Sequence, residues 1–429
     1  MFGEVSGGDA VYKTSRNVII PFYGYASLAF LIAIVFIFFW APAFTRHYFH
    51  PKVIAATHLM ALGWGTMMIL GFSHQVVPAV TKEKLYSSAM ALLSFGLAAT
   101  GIPLLVYSFY TFEMGWMAKT GGILMNGAVL VYLINLILSL VKSRVESIIA
   151  LFILTAGLWL FLTTLIGILL IYNFSIPLFS EDSLHFLSLH AHLGIIGWFL
   201  LQIIGLTAYL VTENISPDLR DIKSLNRVYL LINAGLITFI FMFLRGANRY
   251  WYLIAVMEIV GALLLFFRYW VKMRRQHTGD KPAFIRMKYI LLLGGFLLLS
   301  VILLAVLLLV FAGKGEQVAL ILAYGFSIFF GWITAFILSI TFRSSASGVP
   351  KESSVYRKEF SESRIASKSN KKSLLLWAVL IYITGYLLFL TGVLLSVVGF
   401  IQIATLLLLA VAVIHNFGVI HKIFEKSEW

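Results

Sequence analysis

The strongest constraint on this chain is a row of twelve apolar runs, each near the length of about 20 residues that a helix needs to cross a bilayer. They are Val18 to Ala41, Lys52 to Val80, Leu85 to Tyr110, Gly121 to Val141, Ile148 to Tyr172 and Leu184 to Thr212 in the first half. Val228 to Leu244, Tyr250 to Phe267, Tyr289 to Ala312, Val318 to Phe342, Ser373 to Leu394 and Gln402 to Ile420 follow in the second. Each predicts a membrane helix, because a chain in hydrocarbon must bond its own backbone polar groups. Composition agrees: 61% of the residues are hydrophobic and 12% charged, with a mean hydropathy of +0.95. The first run exceeds the ~7–15 residues of a signal-peptide core, so it is expected to stay as the first span. Gly399 is the expected turn between the last two runs.

The net charge of +14 does not point to nucleic acid, because the basic residues sit in short connections between apolar runs. The N-terminal stretch and every second connection hold 26 of the 32 Lys and Arg, and the alternate connections hold 6. By the positive-inside bias, both termini and the basic loops around Arg274 and Lys358 are expected in the cytoplasm. The expected fold class is therefore an all-α polytopic membrane protein, with residues 1–429 as a single membrane domain. Residues 344–370, rich in serine and charge, read as a flexible cytoplasmic loop.

An internal repeat runs through the apolar pattern. The second run reads His58-Leu59, Gly63-Trp64, Ile69 and Gly71, and the sixth reads His192-Leu193, Gly197-Trp198, Ile203 and Gly205, an offset of 134. A second step of 134 reaches Gly331-Trp332, Ile337 and Ser339 in the tenth run, with Phe326 at the histidine position. Gly127 and Gly261 keep the same spacing. The pattern predicts three four-helix repeats, at about 18–141, 148–267 and 289–420, around a pseudo-threefold axis.

With no cysteine, disulfides, covalently attached haem, thiolate-held clusters and cysteine copper sites are excluded. Any metal has to use histidine, methionine or oxygen. His58 and His192 lie at matched depth on equivalent spans, where two neutral imidazoles suit haem iron or copper, although either can also bond a neighbouring helix. His190 lies about 200° around the helix from His192, so both cannot face one centre. His185, seven residues before His192, is expected to share its face two turns away, above a buried cofactor or in the headgroup region. His47, His50 and His185, near Glu181 and Asp182, are expected at one surface as a candidate copper site. His74 and His415 form a deeper pair, read as structural or as a second bis-histidine site, and His421 is interfacial. Glu258 is the acidic residue well inside a span, read as a proton site or as a partner of Arg245 or Arg249. Asn126, Asn135 and Asn233 read as packing polar groups, and Met60, Met67 and Met68 as packing or lipid-facing side chains.

Twelve spans with both termini inside, three four-helix arcs and His58 in the outer third of span two resemble subunit I of the haem-copper oxidase superfamily. The runs His190-Ala191-His192-Leu193-Gly194 and Thr57-His58-Leu59 also look like stretches in small stand-alone bacterial homologues of that subunit. The resemblance implies b-type haem on His58, a helix-six copper ligand at His192 or His190, a bacterial inner-membrane location, a redox partner such as a cytochrome c, and electron transfer or handling of O2 or NO. The chain departs from the family in span seven, which has no histidine pair, and in span ten, which has Phe326. It also lacks the tyrosine four residues after the helix-six histidine, where Gly194 and Ile196 stand. A conventional oxygen-reducing centre is therefore not expected, and no catalytic residue is assigned. Paired histidine-bearing spans are similar too to NnrS-like haem and copper proteins of the nitric-oxide response. A reading from a different class is a cofactor-free permease or a metal transporter whose histidines line a pathway.

Overall fold

The computed structural model describes residues 13–212, 220–276, 295, 298–311, 317–339 and 361–424, with side chains of the last stretch from 377 to 420. Every regular element among them is helical. Among the described residues, eleven helices are long and apolar enough to span a membrane. They are α1 (Arg16–Trp40), α2 (Pro51–Thr81), α3 (Ser88–Thr111), α4 (Trp116–Lys142), α5 (Ile148–Asn173), α6 (Leu187–Thr212), α7 (Ile222–Leu244), α8 (Tyr252–Gln276), α10 (Val318–Ser339), α11 (Ser361–Leu394) and α12 (Val398–Phe424). The shorter apolar helix α9 (Leu298–Phe311) stands at the ninth run. The chain is a multi-pass membrane protein that lives in a lipid bilayer. Large apolar side chains left exposed by the packing, such as Leu230, Ile237 and Leu244 on α7, are what a hydrocarbon solvent requires.

The helices pack as two units. One comprises segments within Met1–Phe22, Ile69–Leu105 and Met114–Thr278, and the other Tyr23–Met68, Val106–Glu113 and Gly279–Trp429. In the first, α3 and α4 meet at Gly101 and Gly121, where an added Cβ on Gly101 would lie 2.8 Å from the Gly121 carbonyl oxygen. Small residues let membrane helices approach this closely and gain dispersion energy where no hydrophobic force acts between them. The asparagines add polar ties. Asn126 donates to the Thr164 hydroxyl (2.8 Å) and the Phe161 carbonyl (3.1 Å) on α5, and Asn233 on α7 accepts from the Trp159 indole (3.0 Å). Asn135 holds the backbone of Ser87 at the start of α3 from both its oxygen and its nitrogen. Met60, Met67 and Met68 are buried packing side chains.

Several boundaries differ from the sequence reading. The turn between α11 and α12 falls on Ser396, in the left-handed region at φ 56°, while Gly399 lies inside α12. Backbone bonds from Ser396 N to the Val393 carbonyl and from Val397 N to the Gly392 carbonyl close α11, the usual way of satisfying the last carbonyls of a helix. Helix α6 begins at Leu187, so His185 precedes it and shares no helical face with His192. Of the expected loop, residues 344–360 lie outside the described residues, and 361–370 belong to α11.

Helices α2, α6 and α10 are the most buried of the spanning helices: 72% of the apolar core of each is buried, against 11–50% in the others. These three also contain the π-helical segments among the described residues, Leu59–Thr66, Leu193–Leu200 and Ser327–Ile333. The segments start 134 residues apart at each step, and each contains one Gly-Trp pair. The tryptophans Trp64, Trp198 and Trp332 are all buried. A π segment accommodates one extra residue per turn, which lets a wide indole and a close-packed glycine follow one another without losing backbone hydrogen bonds.

Candidate functional site

The residue just before each π segment is His58 in α2, His192 in α6 and Phe326 in α10. His58 Nδ1 is 2.9 Å from the Ile54 carbonyl oxygen, and His192 Nδ1 is 2.8 Å from the Ser188 carbonyl oxygen, each four residues back. A carbonyl can only accept, so both Nδ1 atoms carry the proton and both Nε2 atoms carry the lone pair. This is the tautomer a metal needs, with the ring orientation fixed by a backbone acceptor as in most metal-binding histidines. Both imidazoles are half-buried.

Each of the three positions is covered by a phenylalanine from the next helix. Phe109 of α3 lies 4.3 Å from the His58 ring at 39°, and Phe239 of α7 lies 4.6 Å from the His192 ring at 34°. Phe389 of α11 lies 3.7 Å from Phe326 at 4°. Around Phe326 the stack continues through Phe330 and Tyr386. Tyr386 donates to Ser327 Oγ (2.9 Å), and Tyr382 donates to the Phe330 carbonyl. The third position is thus filled by aromatic rings where the other two carry a nitrogen base. In the same unit as His58 and Phe326, Trp64 donates from its indole to Thr334 Oγ1 (2.9 Å) and stacks on Phe30 at 4.4 Å.

The remaining histidines separate by direction. His190 Nδ1 donates to the Thr163 carbonyl of α5 (3.1 Å), and its ring packs against Gly167, where an added Cβ would lie 3.0 Å from His190 Cε1. It ties α6 to α5, whereas His192 turns to α7, as the 200° separation required. His74 Nδ1 donates to the Leu70 carbonyl (2.8 Å), repeating the four-residue bond of His58 and His192. His415 is fully buried, edge-on to Trp64 at 5.1 Å. The side chain of His421 lies outside the described residues.

The surface histidines act on nearby backbone and rings. His50 caps α2 by accepting from Lys52 N (3.2 Å), and His47 Nδ1 accepts from Phe49 N (3.0 Å). Burial and the adjacent Arg46 and Lys52 cations push the His50 imidazole below its ordinary range. His185 is exposed, its backbone N–H bonded to Asp182 Oδ1 (2.9 Å) and its ring against Phe186 and Phe243. The described residues contain no group of three or more His, Asp or Glu able to hold a metal ion, so the geometry lends no support to copper at His47, His50 and His185. Glu258 does not pair with either expected arginine: Arg245 lies over Phe241, Arg249 lies over Tyr250, and Glu258 Oε2 is buried with no partner among the described residues.

The missed elements of the site are Phe109, Phe239 and Phe389. Nothing in the sequence distinguishes them from the other phenylalanines of this chain, because each acquires its role only by packing across a helix pair. No protein-family model matches this chain, and no curated protein matches it either.

Proposed function

We propose that the protein binds b-type haem through His58 and serves electron transfer or the handling of a diatomic gas such as O2 or NO. His192 or His190 is then a second ligand or part of a copper site. The observation that carries this reading is the shared local arrangement of His58 and His192. Each donates from Nδ1 to the carbonyl four residues back, each lies against a phenylalanine of the next helix, and each sits immediately before a π segment. Bound haem would supply an iron for one-electron transfer or gas ligation. The chain itself orients each imidazole, raises the basicity of Nε2 through the Nδ1–H···O=C bond, and keeps bulk water from the ligand by burial in a span. His190, tied to α5 by its bond to the Thr163 carbonyl and its fit against Gly167, points away from His192, so only one of the two can serve that centre.

The same reading takes the chain as three four-helix repeats in a bacterial inner membrane, with both termini in the cytoplasm and a cytochrome c or similar protein as electron donor. It draws support from the equal spacing of the π segments, the equal burial of α2, α6 and α10, and the 26 to 6 distribution of basic residues. Phe326, filled in by Phe389, Phe330 and Tyr386, leaves span ten without a ligand, so rapid four-electron reduction of oxygen by this chain is not expected.

The test is an optical spectrum of the purified, haem-supplied protein and of His58→Ala. A Soret band lost in His58→Ala, with membrane insertion retained, is the expected result. His192→Ala should convert a six-coordinate spectrum to five-coordinate if His192 is axial, and should leave the band in place if it holds copper. No Soret band in the parent protein would return the chain to the permease or metal-transporter class, and an unchanged band in His58→Ala would refute the ligand assignment.

A further inference from the structure

The unit that carries His192 also holds a group of buried polar atoms that its packing leaves unsatisfied. Ser73 Oγ and the Tyr132 hydroxyl are 2.6 Å apart. The His74 ring lies 5.4 Å from the Tyr132 ring, nearly edge-on, and 5.3 Å from Phe22. The Gln202 amide faces the same Tyr132 hydroxyl but completes no hydrogen bond with it. All four polar side chains are 2% exposed or less. His74 Nδ1 is committed to the Leu70 carbonyl, so Nε2 is an acceptor. That Nε2, together with Gln202 Oε1 and Nε2, has no hydrogen-bond partner among the described residues.

Buried polar atoms are costly when unpaired, and a group of them needs a missing partner. Their donor and acceptor roles select that partner. A cation would suit His74 Nε2 and Gln202 Oε1 but would meet the two amide hydrogens of Gln202 Nε2. An apolar gas would satisfy none of them. Water donates to both acceptors and accepts from the amide.

We propose that a cluster of ordered water occupies the site bounded by His74, Gln202, Tyr132 and Ser73, about 10 Å along α2 from its Thr81 end at the helical rise of 1.5 Å per residue. Asn135 and Ser139, one and two turns beyond Tyr132 on α4, are buried polar residues that continue the polar line. Buried water of this kind typically makes about three hydrogen bonds to otherwise unsatisfied groups. The site requires no cofactor, so it stands whether or not His58 holds haem.

Hydroxyl-radical labelling by a brief X-ray pulse tests this on the full chain in detergent or nanodiscs, because the radicals form from water where it is bound. Oxidation of Tyr132, read by mass spectrometry, should be several-fold faster than that of Phe152, which is equally buried but packs on the Tyr229 ring and against Gly205 with no unsatisfied polar group beside it among those contacts. The rate should fall towards that of Phe152 in Gln202→Leu. Equal rates at Tyr132 and Phe152 in the unaltered protein would overturn the proposal without any variant. Stability supplies a second readout: around water, Gln202→Leu removes bonds and lowers the melting temperature, whereas in a dry site it deletes an unsatisfied amide and raises it. A stoichiometric metal in the purified protein that is lost in His74→Leu would also overturn the water assignment.

Discussion

Gly197 lies in the π segment of α6 and faces Trp159 of α5. An added Cβ would sit 2.6 Å from Trp159 Cβ, 2.7 Å from Trp159 Cγ and 3.1 Å from Leu236 Cδ2. Trp159 Cβ is one bond from its own backbone, so it cannot swing aside unless α5 moves. Overpacking of this kind costs about 1–3 kcal/mol. Displacing Trp159 also strains its indole bond to Asn233 Oδ1, worth about 0.5–1.5 kcal/mol. Alanine returns up to about 1 kcal/mol through its better helix propensity. Gly197→Ala should therefore lose about 2–3 kcal/mol. Gly331→Ala, whose Cβ would meet the Tyr386 ring edge at 3.1 Å, should lose less. Gly261→Ala, with nothing within 4 Å, should lose nothing and gain up to about 1 kcal/mol from helix propensity. Unfolding in mixed micelles by titration with sodium dodecyl sulfate, followed by circular dichroism, gives the three values on one scale. A Gly197→Ala protein as stable as the Gly261→Ala protein would show that the α5–α6 contact is not close-packed and would refute the steric account.

Two further outcomes follow from the helix ends. Ser396 occupies the left-handed region, which costs a side chain about 1–2 kcal/mol that glycine avoids, so Ser396→Gly should raise stability by about 1 kcal/mol in the same titration. Asp221 caps α7 by accepting from Ser224 N (3.1 Å) and pairs with Lys272 (2.6 Å), whose ammonium group holds its carboxyl below the ordinary carboxylate range. Because the folded-state value is depressed, the stabilisation is present above the unfolded value near pH 4 and is lost as pH falls through the folded one. Lys272 is half exposed, so the pair is worth about 0.2–1 kcal/mol. Asp221→Asn, which keeps a cap, should lose that amount at pH 7 and nothing near pH 2, while Asp221→Ala should lose about 1 kcal/mol more.

The sequence by itself located the eleven spans among the described residues and the shorter helix at the ninth run, because bilayer crossing depends on a local sum of apolar side chains over about 20 residues. It also located the repeat that sets His58, His192 and Phe326 five residues before a Gly-Trp pair, and the structure places a π segment directly after each of those three residues. The separate directions of His190 and His192 were legible as well, since they lie two residues apart on one helix. The π segments themselves were not, and they matter because one extra residue turns the following helix about 100° away from the face that a 3.6-residue period assigns. The tertiary structure alone decided that Phe109 covers His58 and Phe239 covers His192, that Phe326 is stacked against Phe389, and that Glu258 stands apart from Arg245 and Arg249. It likewise put the last turn on Ser396 rather than Gly399. In each of these cases the deciding contact joins residues on different helices or depends on how two helices close on one another. Membrane insertion is fixed by local hydropathy, but the choice of neighbour is fixed by shape, which a linear pattern of apolar residues does not carry.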